Sequence, residues 1–140
     1  MAVPDSNLIP RVILVADDER CVLSCVCYTL ERAGFRVLRA GSAEEALRLG
    51  KEWQDAIDLL LADVIMPGQS GPTLAGELKR LHPETQCLFM AGLPDNPEVV
   101  DRVLAAGHPF LPKPFVPQVL IEKVREVLFG APPETAAAVA

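Results

Sequence analysis

The sequence lacks any apolar run approaching the roughly 18 residues that a transmembrane helix needs, so we expect no membrane partner. It also lacks an excess of positive charge, since its net charge is −6. A nucleic-acid-binding surface requires basic side chains, so we expect no nucleic-acid partner. Residues 1–10 lack both the basic start and the apolar core of a secretory signal.

The four cysteines form no pattern typical of a disulfide framework or a zinc site. Cys21, Cys25 and Cys27 fall in one predicted helix, and Cys87 lies far along the chain. There is no CxxC pair and no histidine near the cysteine cluster. We therefore expect the cysteines to be small buried hydrophobic residues of a protein in the reducing cytoplasm.

Short apolar runs alternate with amphipathic stretches along the chain. The first pattern is typical of buried parallel strands and the second of surface helices. We predict strands over 11–16, 35–39, 58–62, 86–90 and 109–112, and helices over 20–33, 43–52, 71–81, 96–106 and 116–129. Strict alternation predicts one doubly wound α/β domain over 11–129. Residues 1–10 are then an N-terminal extension, and residues 130–140 a disordered tail.

Charged side chains end three of the predicted strands. Asp17 and Asp18 follow RVILVA, Asp63 follows DLLLA, and Lys113 follows PFLP. Open α/β sheets bind ligands at the carboxyl ends of their strands, so these side chains should converge there. Carboxylates brought close together repel one another unless a cation joins them. The pattern therefore predicts a site for a divalent metal ion and an anionic group.

Three short motifs resemble those of the receiver domain of two-component response regulators. They are DD after strand one, DVIMPG after strand three and KPF after strand five, in the order that the family has. The resemblance extends over residues 11–129. It implies a flavodoxin-like (βα)5 fold whose five-stranded parallel sheet has the order 2-1-3-4-5. The segments DVIMPGQSGP and LFMAG are most similar in sequence to receivers of hybrid sensor histidine kinases. A free-standing regulator is the second expectation, because the chain begins with Met and carries no output domain.

The resemblance implies a role for each residue at this edge of the sheet. Asp63 is the phosphoacceptor, which forms an acyl phosphate, and Lys113 pairs with a phosphoryl oxygen. Asp18, Asp63 and the backbone carbonyl of Ile65 ligate Mg²⁺, and Asp17 reaches the ion through a water molecule. The protein is then not a dedicated enzyme and catalyses only its own phosphorylation and dephosphorylation. Its phosphodonor is a histidine kinase or histidine phosphotransfer domain that docks near helix one.

Both residues at the switch positions that the resemblance implies, Ala91 and Phe110, lack a hydroxyl group. Ala91 stands where receivers carry Ser or Thr, whose hydroxyl bonds a phosphoryl oxygen. The lost hydrogen bond corresponds to about 1.5–3 kcal/mol in the phosphorylated state. Phe110, the strand-five aromatic residue, is either a switch residue or plain core. We expect a domain that passes phosphate on, or competes for it, rather than one that changes shape strongly. The resemblance also implies a cis peptide bond before Pro114.

Helix one carries more apolar residues than one buried face requires. Val22, Val26, Leu30 and Ala33 form the predicted buried face. Cys21, Cys25 and Tyr28 form an additional flank, which either faces a partner or widens the contact with the sheet. Glu19 is expected to be a solvated acid in the first turn of this helix.

Two further functions compete with a phosphoacceptor receiver. A pseudo-receiver would be an interaction module that is never phosphorylated; Ala91 favours it, whereas Asp18, Asp63 and Lys113 oppose it. A haloacid-dehalogenase-like phosphatase also uses an aspartate nucleophile, Mg²⁺ and a lysine. That family places its nucleophile in a DxD motif after strand one, where this chain has DDE, and the chain has no room for a cap domain.

Overall fold

The computed structural model of the protein describes residues 10–92 and 97–130, which form a parallel sheet flanked by helices. The strands are β1 (Val12–Ala16), β2 (Arg36–Ala40), β3 (Leu59–Asp63), β4 (Gln86–Gly92) and β5 (Phe110–Lys113). The helices are α1 (Arg20–Arg32), α2 (Ala43–Glu52), α3 (Gly71–Leu81), α4 (Pro97–Ala105) and α5 (Pro117–Phe129).

The strand order is β2-β1-β3-β4-β5, and each neighbouring pair is parallel. The predicted flavodoxin-like fold and strand order are therefore confirmed. In this order β1 lies directly beside β3, with Ala16 opposite Ala62 in the register. The residues that follow, Asp17 and Asp63, consequently lie next to each other at the carboxyl edge of the sheet.

The sheet is buried on both faces, which explains why its central strands are continuously apolar. Ile13 and Val15 of β1 point into a core formed with α1 and α5. Leu14 and Ala16 point into a second core, which includes residues of α2, α3 and α4. All five residues of β1 are buried, as are all five of β3.

The predicted elements are all present, and their described bounds agree with the prediction to within two residues. The predicted start of the fourth helix at residue 96 lies outside the described residues. So do residues 1–9 of the predicted extension and residues 131–140 of the predicted tail. Among the helices that the structure describes, none is both long and apolar enough to cross a membrane.

The prediction that the cysteines are buried is wrong for two of them. Cys27 is buried and Cys87 is half-buried, but Cys21 and Cys25 are exposed, and each of the four is a free thiol within the described ranges. The buried residues of α1 are Leu23, Val26, Cys27 and Leu30. This face is rotated about the helix axis from the predicted one. Apolar residues occur on several sides of α1, so their spacing did not determine which side is buried.

Gly71 fixes the approach of α3 to the end of β3. Its N–H donates a hydrogen bond to the carbonyl of Val64 at 2.8 Å, and a Cβ at this position would collide with the backbone carbonyl oxygen of Asp63. Backbone atoms cannot swing aside as a flexible side chain can. The absence of a side chain at Gly71 therefore helps to place Asp63.

We predict that Gly71→Ala lowers the free energy of unfolding by about 1–3 kcal/mol, the usual cost of forcing an atom into a packed region. Gly76→Ala in the same helix is the matched control, since a Cβ there meets no described atom within 4 Å. That change should stabilise by about 0.5–1 kcal/mol, because alanine favours helix more than glycine does. Urea unfolding measures both, and equal effects of the two substitutions would contradict the packing role of Gly71.

Candidate functional site

Charged residues converge at the carboxyl edge of the sheet. Asp17 and Asp18 follow β1, Asp63 is the last residue of β3, and Lys113 is the last residue of β5. Carboxylate oxygens from the three aspartates all lie within 4.8 Å of one another. Asp17 and Asp63 are buried, whereas Asp18 is exposed. The edge therefore combines buried acids with one acid that faces solvent.

Lys113 extends across the end of β4 to reach these acids. Its Nζ donates hydrogen bonds to Asp63 Oδ2 at 2.8 Å, to Asp17 Oδ2 at 3.0 Å and to Glu19 Oε1 at 3.1 Å. The peptide bond from Lys113 to Pro114 is cis, as the family resemblance implies. One ammonium group is thus shared by three carboxylates within the described residues.

Backbone N–H groups orient the two buried carboxylates. Asp17 Oδ1 accepts from the N–H of Glu19 at 2.9 Å, and Asp63 Oδ1 accepts from the N–H of Ile65 at 3.1 Å. The second oxygen of each side chain accepts from Lys113. Each carboxylate is therefore held at both oxygens, and each oxygen keeps a lone-pair direction for a further ligand.

Burial raises the pKa of the Asp17 carboxyl, and the charge of Asp63 adds to this. The N–H of Glu19 and the ammonium of Lys113 act in the opposite direction without cancelling the effect. Burial alone would lower the pKa of Lys113, but hydrogen bonds and charge from Asp63 and Asp17 outweigh it, so the pKa is raised. The lysine is held charged by two acids, whereas Asp17 must share that lysine with Asp63. The charged form of Asp17 is therefore less favoured in this site than in water, mainly because the carboxyl is buried.

The acids present suit a small divalent cation. Mg²⁺ prefers oxygen ligands and is commonly bound through one or two carboxylates while it keeps several waters. Asp17, Asp18 and Asp63 supply clustered carboxylate oxygens, and the exposure of Asp18 leaves the cluster open to solvent. Among the described residues, no other group of three acidic, histidine or cysteine side chains meets in this way.

Comparison with known proteins identifies the family. Residues 13–125 match the sequence profile of the response regulator receiver domain. The chain belongs to this family. The match covers Asp17, Asp18, Asp63 and Lys113, so the residues at the carboxyl edge lie inside the receiver domain.

The receiver is similar to domains of both sensor kinases and transcriptional regulators. It is 34% identical over 116 residues to the sensor kinase CckA of Brucella abortus, covering 83% of this chain and 12% of that protein. It is 35% identical to the transcriptional regulatory protein CpxR of Klebsiella pneumoniae, covering 83% of this chain and 48% of that protein. The chain thus spans less than half the length of these relatives.

Solved receiver domains have the same fold. The receiver domain of the hybrid histidine kinase CckA matches with a TM-score of 0.70 and 35% identity, covering 84% of this chain and 98% of that one. A CheY-like receiver domain protein from Methanospirillum hungatei matches with a TM-score of 0.73 and 28% identity, covering 85% and 94%. These similarities support a hybrid-kinase-like receiver and leave the phosphatase alternative without support.

The switch positions of the receiver both belong to the core beside α4. Ala91 in β4 is buried, and its neighbour across the sheet is Pro112. Phe110 is half-buried and packs against the same core cluster as Ala91. Ala91 offers no hydroxyl group toward the site, and Phe110 is placed as a packing residue. A switching role for either position stays a prediction.

The structure gives Glu19 a contact that the sequence did not indicate. Glu19 is exposed, as predicted for a solvated acid, but it is the N-cap residue of α1 rather than a first-turn residue, and its side chain pairs with Lys113. Glutamate near a helix start is common for reasons of helix polarity alone. The sequence pattern therefore carried no sign of a partner in β5.

Exposed residues of α1 form one wall of a groove beside the receiver's acidic site. This groove, called the α1 groove below, has a volume of about 500 Å³ and is lined by Glu19, Cys21, Val22, Cys25, Val26, Gly92, Lys113, Pro114 and Phe115. Tyr28, on the same flank of the helix, is 62% exposed. Of the two expectations for this flank, the wider helix–sheet contact is wrong, because Cys21, Cys25 and Tyr28 face away from the core.

Proposed function

We propose that this receiver accepts a phosphoryl group on Asp63 within a histidine-to-aspartate phosphorelay. The observation that carries the proposal is the hydrogen bond from the ammonium of Lys113 to the Asp63 carboxylate, whose oxygens cluster with those of Asp17 and Asp18. A nucleophilic carboxylate, a cation for the incoming phosphoryl oxygens and a cluster of metal-binding oxygens are the groups that phosphoryl transfer requires.

In the proposed reaction an oxygen of Asp63 attacks the phosphorus atom of a phosphohistidine. The new P–O bond forms as the P–N bond breaks, and the imidazole leaves with the electron pair of that bond. The N–H of Ile65 orients the attacking carboxylate, and the ammonium of Lys113, which lies beside that carboxylate, donates to a phosphoryl oxygen. The product is an acyl phosphate on Asp63, which water can later hydrolyse. In this proposal the protein modifies only its own Asp63 side chain, so it is not a dedicated enzyme.

Mg²⁺ is the proposed cofactor. Asp18, Asp63 and the backbone carbonyl of Ile65 are the proposed direct ligands, and Asp17 is proposed to act through a water molecule. When bound, the ion neutralises the repulsion among the acids and the charge of the phosphoryl oxygens. The clustering of the three carboxylates supports this assignment.

The proposed partner is a histidine kinase or a histidine phosphotransfer domain that docks on the α1 groove. A donor that reaches Asp63 must bring its phosphohistidine beside Lys113, and Lys113 is part of the groove wall. The apolar side chains of Val22, Val26 and Phe115 suit the face of an amphipathic helix that carries the histidine.

The free thiols of Cys21 and Cys25 support a location in the reducing cytoplasm.

We predict one phosphoryl adduct per chain after incubation with acetyl phosphate and Mg²⁺, located on Asp63 and removed by hydroxylamine. Intact mass and peptide mapping measure it. Asp63→Asn should abolish the adduct because an amide is a poor nucleophile. Asp55→Asn is the control, since this acid is exposed and distant from the site. An adduct that persists in Asp63→Asn, or no adduct on the unmodified chain, would contradict the proposal, and the second result would favour the pseudo-receiver.

We predict that Cys21→Arg and Cys25→Arg slow phosphotransfer from a histidine phosphotransfer domain by at least about tenfold. Such a loss corresponds to the removal of one important interface contact, about 1.4 kcal/mol. Phosphorylation by acetyl phosphate should not slow in either variant, because this small donor needs no docking surface and an added positive charge does not repel an anion. Leu104→Arg, at an exposed position of α4 outside the groove, is the control. Unchanged transfer in both groove variants would show that the donor docks elsewhere.

The absence of a hydroxyl at Ala91 leads to a separate prediction. Ala91→Thr should enlarge the amide chemical-shift changes that beryllofluoride causes in β5 and α4, because the added hydroxyl can bond the phosphoryl mimic. Ala91→Val is the control, since valine has the size of threonine without the hydroxyl. Equal responses of Ala91→Thr and Ala91→Val would mean that the hydroxyl does not drive the change in shape.

A further inference from the structure

All the hydrogen-bonding capacity of Lys113 is in use. A lysine ammonium has three N–H donors and no acceptor. In the described structure these donors meet Asp63 at 2.8 Å, Asp17 at 3.0 Å and Glu19 at 3.1 Å. A phosphoryl oxygen that approaches the Asp63 carboxylate can therefore bond Lys113 only if one of these three carboxylates gives up its place.

The three carboxylates differ in how readily they can leave. The side chains of Asp17 and Asp63 are 0% and 9% exposed, whereas that of Glu19 is 62% exposed. A buried carboxylate that loses its partner pays a desolvation penalty, but an exposed one is resolvated by water. Glu19 is consequently the partner that Lys113 can exchange at the lowest cost.

The backbone of Glu19 is fixed while its side chain has no part in forming the helix. Its N–H donates to Asp17 Oδ1, and its carbonyl accepts from the N–H of Leu23 at 2.9 Å. Although Glu19 is the N-cap of α1, its side chain caps no N–H group in the described part of the chain. The carboxylate can therefore move without disturbing either the helix or Asp17.

We propose that Glu19 is a positioning residue that holds Lys113 in the unphosphorylated receiver and is displaced by the phosphoryl group. This inference rests on the proposed function of Asp63. Glu19 then slows phosphorylation in two ways, because it occupies a donor of Lys113 and because its charge opposes an anionic donor. Since Glu19 also lines the α1 groove, its displacement changes the charge at the proposed docking surface.

The test compares Glu19→Gln and Glu19→Ser with the unmodified receiver at saturating Mg²⁺. Glutamine keeps the size without the charge, and serine is a favoured N-cap residue, so α1 is retained. Glu44→Gln is the control, because it removes one exposed negative charge from the first turn of α2. The rate of phosphorylation by acetyl phosphate should rise about two- to fivefold in both Glu19 variants, the range expected for an exposed ion pair. It should not change in Glu44→Gln.

Two further readouts separate positioning from a general structural effect. The beryllofluoride concentration at half-saturation, followed by amide chemical shifts, should fall by the same factor in the Glu19 variants. The rate difference between the unmodified receiver and Glu19→Gln should shrink as salt is added, because exposed charges are screened. If the receiver is phosphorylated but the Glu19 variants match Glu44→Gln, the role of Glu19 is overturned. If the unmodified receiver neither binds beryllofluoride nor gains a phosphoryl group, the function of Asp63 is overturned and the role of Glu19 with it.

Discussion

The sharing of the Lys113 ammonium by acidic side chains from the β1 and β3 ends is the interaction on which the site depends. Burying Asp17 and Asp63 side by side is unfavourable unless their charge is compensated. Backbone N–H groups satisfy one oxygen of each acid, and Lys113 satisfies the other. The pKa of Asp17 is nevertheless raised, chiefly because the carboxyl is buried. The proposed Mg²⁺ would supply further positive charge, and with it the site could receive an anionic group.

The sheet order makes this sharing possible. β4 lies between β3 and β5, so Lys113 has to cross the end of β4 to reach Asp63. In the register, Lys113 lies beside Gly92, and Asp63 lies beside Met90. Ala91 and Gly92 are the last two residues of β4, beside this crossing. Neither residue carries a hydroxyl group, so neither can donate the hydrogen bond that the family resemblance implies at position 91.

The parts of the site that end strands were predictable from the sequence, and the parts that depend on helix rotation were not. A charge after an apolar run marks a strand end, so Asp17, Asp63 and Lys113 could be placed without a structure. The contact of Glu19 joins residues 94 positions apart and leaves no local pattern. The exposure of Cys21 and Cys25 depends on the rotation of α1, where one residue corresponds to about 100°. Apolar residues occur on several sides of this helix, so periodicity could not choose among them.

The contacts of Lys113 and the absence of a hydroxyl at Ala91 bear on the same question, which is what part of the domain changes conformation on phosphorylation. In receivers with Ser or Thr at this position, the hydroxyl links the phosphoryl group to β4, next to the strand that carries the aromatic switch residue. Here that link is missing, whereas Lys113 connects the site to Glu19 at the rim of the α1 groove. A ligand shifts a conformational equilibrium only through contacts that differ between the two states. The contact of Lys113 with Glu19 lies on the α1 side, so under the proposed function phosphorylation should act first on the proposed docking surface. This arrangement favours a domain that passes phosphate along a relay over one that signals through α4.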